Sequence, residues 1–267
     1  MRTDRVRIAE LVLLVTVAAA FGPLLSGAAI WLAGVGVGVL AALGAFAVLY
    51  EHEPRGVPIE SLLPVAVAGA GMLGLTHAAG VSVLALLALL VGAALVAASV
   101  VLERRLLEPA GPGAERRRNL LDELSVLVAF VAFVGVAGAV PGGLAEPGGP
   151  GGSPPLDGAL LGMLVAGDAA VAFLLGYRLA AVRMSRVRDA AFAAGTFAVM
   201  VGVAAGVLRA LALPRLVGPA LIAAVFALWA AYRAAPGSER RSLAWLWEYG
   251  ILALAAGLTV AWNLLMH

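Results

Sequence analysis

The chain has 267 residues, of which 63% are hydrophobic and 13% charged, and its formal net charge is +2. Soluble domains carry about 45–50% apolar and about 25% charged residues, and a single core cannot shield such an excess of apolar side chains from water. Composition therefore excludes soluble enzyme folds, DNA-binding modules, coiled coils and disordered tails. A mean hydropathy of +1.02 with long charge-free stretches marks a multi-pass membrane protein.

The chain has no cysteine, which excludes disulfides, thiolate catalysis and Cys-ligated metals. It also has no lysine, so all 18 basic residues are arginine. That removes Schiff-base chemistry and the phosphate-binding lysine of nucleotide loops. A pI near 9.5 does not point to nucleic acid, because no basic domain accompanies it.

Apolar runs bounded by Gly, Pro or charge are expected at Val6–Leu25, Ala28–Tyr50, Ile59–His77, Val81–Leu102, Leu120–Val140, Leu156–Leu179, Ala190–Leu213, Leu216–Tyr232 and Leu243–Met266. They are too long and too continuously apolar for barrel strands, which alternate. The expected fold is an all-α polytopic transmembrane helix bundle of about nine spans. With the N-terminus cytoplasmic, 16 arginines fall inside and only Arg209 and Arg215 outside. A miscounted helix would scramble that alternation. The C-terminus is then external, and the location is a bacterial cytoplasmic membrane.

The first span follows Arg2, Arg5 and Arg7 and ends in Ala18-Ala19-Ala20. It resembles a signal peptide, yet with no exported domain after it, it is kept as a span. Glu103–Asn119, with five arginines and Pro109, Gly111, Pro112 and Gly113, is expected as the largest cytoplasmic loop, lying against anionic headgroups. The stretch 141–155 (PGGLAEPGGPGGSPP) is expected as a flexible external linker. It divides helices 1–5 (residues 1–140) from helices 6–9 (residues 156–267) of one membrane domain. Gly34/Gly38, Gly202/Gly206, Ala66/Ala70/Gly74 and Ala253/Gly257/Ala261 form small-xxx-small ridges that favour a compact bundle.

Asp168 is the most informative residue, because an ionised carboxylate near the bilayer midplane costs at least about 2.5–3.5 kcal/mol. It must be protonated, paired or facing a wet cavity. The functional expectation is a proton- or cation-coupled site; the bland one is a neutral acid hydrogen-bonded to a neighbouring helix. Its face of the helix includes Leu161, Leu164, Val165, Ala172 and Leu175, with the ridge Gly158–Gly162–Ala166–Ala170 largely opposite, which predicts a central sixth helix with neighbours on two faces. Arg209, near the outer end of the seventh span, is expected at the depth of Asp157. Together they form either an anion clamp or an interfacial pair with a snorkelling arginine.

The remaining motif search is negative. His52, His77 and His267 are far apart and lack metal-ligand spacing, and no G-x-S-x-G occurs. No catalytic residue, metal site or cofactor is expected. Asp122, Glu123 and Glu248 would make a polar cluster only if the fifth and ninth helices touched.

From Leu208 onward, LRALALPRLVGPALIAAVFALWAAYRA and then ERRSLAWLWEYGILALAAGL resemble a family of uncharacterised multi-pass bacterial membrane proteins. The likeness covers mainly residues 208–260 and ends in Glu248, Tyr249 and Gly250. It implies no activity. Three function classes follow from the residues, in this order. The first is a non-enzymatic scaffold or accessory subunit, with membrane lipids and a membrane protein or a second copy as partners. The second is a proton- or ion-coupled transporter of a small solute using Asp168, and the third an intramembrane lipid-modifying enzyme.

Overall fold

The computed structural model describes residues 2–51, 56–108, 111, 113–144, 156–211, 213 and 216–235. These form helices α1 (Arg2–Ala19), α2 (Ala28–Tyr50), α3 (Leu63–Ala79), α4 (Val83–Leu107), α5 (Ala114–Ala139), α6 (Gly158–Ala181), α7 (Val187–Ala210) and α8 (Val217–Ala234). One-turn 3-10 segments at Gly22–Leu24 and Ile59–Leu62 close the end of α1 and lead into α3. No strand occurs among the described residues. Eight helical segments are long and apolar enough to cross a membrane, as a multi-pass protein requires. The ninth expected span, Leu243–Met266, lies outside the described residues, as does the external linker from residue 145 onward.

Span centres match the hydropathy pattern, but helix ends do not always. α4 runs five residues past Leu102, and α5 begins six residues before Leu120. The large cytoplasmic loop expected at Glu103–Asn119 is thereby reduced to a short connection around residues 108–113. Hydropathy marks where the chain leaves hydrocarbon, whereas Glu, Arg and Leu are good helix formers that carry the helix on beyond that point. Gly113 then turns the chain into α5 with a φ of 96°, a left-handed conformation that favours glycine.

α3 and α5 form the centre. α3 packs on α1, α2, α4, α5 and α6, and α5 also meets α4, α6 and α8. Their seam is closed by missing side chains. A Cβ placed on Gly74 would lie 2.5 Å from Gly135 Cα, and one on Gly138 would lie 2.6 Å from Ala78 Cβ. Of the expected ridges, Gly38 meets Ala66 and Ala70 across α2 and α3, and Gly202 meets Ala169 across α7 and α6. Close backbone approach of this kind lets dispersion contacts hold helices together where no hydrophobic force does.

The expectation of a central sixth helix is corrected. α6 buries Leu164, Asp168, Ala172 and Leu175, but Gly158, Gly162, Ala166 and Ala170 are exposed. Its small ridge faces outward rather than a second neighbour, and its partners are chiefly α7, α5 and α3. Small residues were a poor guide here because they are abundant on every helix.

Candidate functional site

Asp168 and Arg209 meet inside the bundle. Arg209 Nε donates to Asp168 Oδ2 at 3.1 Å, and Nη2 donates to Oδ2 at 3.1 Å and Oδ1 at 3.2 Å. Nη2 also donates to the Phe133 carbonyl of α5 at 3.0 Å. Both residues are buried, so one cluster ties α5, α6 and α7. Arg209 Nη1 has no acceptor among the described residues.

This arrangement corrects the expected partner of Arg209. Gly176 packs against Phe197, and Gly202 and Gly206 pack near Val165, which sets the Cα of Arg209 at about the level of residue 162. At 1.5 Å rise, Asp157 lies about 7.5 Å further out and Asp168 about 9 Å deeper. Distance alone does not choose between them; direction does. Cα–Cβ bonds tilt toward a helix N-terminus. In this antiparallel pair, Arg209 leans inward from the outer end of α7 and Asp168 leans outward along α6. The two approach each other, while Arg209 points away from Asp157. Asp157 instead caps α6, its Oδ1 accepting from Leu160 N at 2.7 Å.

A second buried pair was not anticipated from the sequence. Glu103 of α4 and Arg178 of α6 form a two-pronged ion pair; Arg178 Nε donates to Glu103 Oε1 at 2.8 Å, and Nη2 donates to Oε2. Both are buried. The available signal was the run Leu179–Val182 after Arg178, which shows the apolar helix continuing beyond that charge. Arg178 lies ten residues from Asp168, about 15 Å along α6. α6 therefore carries an acid and a base on its buried side, each answered from a different helix.

Toward the same end, Arg183 Nη2 donates to Asp122 Oδ2 at 2.6 Å, and Arg7 pairs with Glu51. Arg117 pairs with Glu108 at 3.1 Å. These contacts join helix ends that the arginine count places on one side. At the opposite end Thr76 donates to Ala19 O, and His77 Nδ1 lies 2.9 Å from Gly22 O, so His77 is a hydrogen-bonded residue in the last helical turn of α3 rather than in the connection after it. Glu248 lies outside the described residues, as does any contact between the fifth and ninth helices.

An apolar cleft of about 350 Å³ runs between α2 and α6 over α3 and α5. Gly167 and Val171 of α6 line it, while Asp168 turns away toward α7. Among the described residues no group of three His, Asp or Glu side chains could hold a metal ion. No family model, curated protein or solved structure matches the chain.

Proposed function

We propose that the chain is a non-enzymatic component of the bacterial cytoplasmic membrane, a scaffold or accessory subunit of nine spans with its N-terminus inside. The observation that carries this reading is the closed state of Asp168. Its carboxylate is held by Arg209 within a bundle sealed by glycine contacts, and the neighbouring cleft is apolar and faces away from it. A buried pair of this kind fixes helix register. It holds a surface in one shape for a partner.

The competing reading is ion-coupled transport, in which the Asp168–Arg209 pair opens and exchanges its proton or counter-ion. That Nη1 of Arg209 has no acceptor among the described residues is the feature that favours it. Proteoliposome flux separates the two. The scaffold reading expects no proton or cation flux above empty vesicles, in wild type and in Asp168→Asn alike. It also expects the extracted wild type to run in a defined complex. A saturable flux that Asp168→Asn abolishes in a folded protein would establish transport instead.

A further inference from the structure

A groove of about 320 Å³ opens at the arginine-rich end of the bundle, between α4 and α5. Its walls include Ala98 and Val101 on one side and Leu120 and Leu127 on the other, and its rim carries Arg105 from α4 and Glu123 from α5. Leu127 is 55% exposed and Val101 37%, so the slot faces outward into the bilayer.

The rim charges stand apart from their neighbours. Glu103 is taken by Arg178, Asp122 by Arg183 and Glu108 by Arg117. Arg105 and Glu123 are both exposed, and among the described residues neither is bonded to the other or to another charged side chain. The Arg105 backbone carbonyl accepts from Arg117 Nη1 at 2.7 Å, which anchors the position without engaging its guanidinium. A cation and an anion face one slot without closing on each other.

We propose that this groove binds a phospholipid with a phosphoethanolamine headgroup. The phosphate accepts from the fork of Arg105, whose planar donors match a phosphodiester. The primary ammonium donates to the Glu123 carboxylate, and one acyl chain descends between Ala98 and Leu127. The charge pattern selects among lipids. A trimethylated headgroup has no N–H to give Glu123, and phosphatidylglycerol ends in neutral hydroxyls, so its phosphate charge is left without an ammonium beside the Glu123 carboxylate.

Native mass spectrometry of the full chain, titrated with phosphatidylethanolamine, phosphatidylcholine and phosphatidylglycerol of matched acyl chains, tests this. Wild type should retain phosphatidylethanolamine about tenfold more than either competitor. Glu123→Gln should level phosphatidylethanolamine with phosphatidylcholine, and Arg105→Gln should weaken all three. Ala98→Trp should block binding while leaving both rim charges in place. All three positions are exposed, and unchanged elution profiles confirm folding. Equal retention of the three lipids by wild type, a preference for phosphatidylglycerol, or an ethanolamine preference that survives every variant would overturn the proposal. So would a change of oligomeric state in the variants without lipid loss, which would give the groove to a second copy of the chain. None of these readouts depends on whether the protein is a scaffold or a transporter.

Discussion

An aspartate and an arginine buried side by side within a membrane bundle are stable only together, since each alone would face hydrocarbon as an unanswered charge. Removing one member of a buried pair costs about 3–5 kcal/mol, whereas replacing both by apolar residues of similar size is often neutral. Asp168→Asn should therefore lower thermal stability markedly. Asp168→Leu combined with Arg209→Met should recover most of that loss, as read by detergent-state melting. If Asp168→Asn and the double variant both melt like wild type, the pair contributes nothing. Asp157 belongs to a different category: Asp157→Ala should cost about 1 kcal/mol, the usual value of a helix N-cap, and Asp157→Ser should restore it. A loss of several kcal/mol on Asp157→Ala would mean an ion-pair role after all. The sequence exposed Asp168 because a lone acid deep in an apolar run stands out. It hid Arg209's partner because depth was judged from Cα positions, while side-chain tilt decides contacts. Glu103 and Arg178 were hidden differently, each being counted with the arginine-rich flanks that topology assigns to water.

At the scale of elements, the seam between α3 and α5 makes the strongest demand on sequence. The Cβ of Gly74→Val would overlap the backbone of Gly135, and backbone cannot swing aside as a flexible side chain can. Overpacking typically costs about 1–3 kcal/mol, and here the expected outcome is loss of the monodisperse folded species in size-exclusion chromatography. Gly162→Val is the control, since nothing lies within 4 Å of a Cβ there, and it should elute normally. If both glycines tolerate valine, the seam is looser than described. That this seam, rather than α6, forms the centre was not readable from composition, because small-xxx-small patterns occur on most of the helices and carry no address. Helix existence was readable; α2 spans the same residues in sequence and structure.

At the scale of the whole molecule, the orientation rests on arginine asymmetry, and the ion pairs Arg7–Glu51 and Arg183–Asp122 gather the relevant helix ends on one side. The natural lack of cysteine makes this directly measurable. Single cysteines at Ser82 and Ser185, both exposed connections, should label from opposite faces of intact cells, Ser82 from outside and Ser185 only after permeabilisation. Labelling of both from one face would break the alternation.

The charges along α6 also dictate an order of events during synthesis. When α6 leaves the ribosome, Arg178 finds Glu103 already in the membrane, 75 residues behind it. Asp168 finds no such partner, because Arg209 arrives 41 residues later. A lone central Asp disfavours partitioning by about 2.5–3.5 kcal/mol, a cost that the apolar residues of α6 must offset until α7 brings Arg209. The expected consequence is that α6 and α7 insert more efficiently as a hairpin than α6 does alone. A chain truncated after Arg183 should insert less completely into the bilayer than one extended through Ala210.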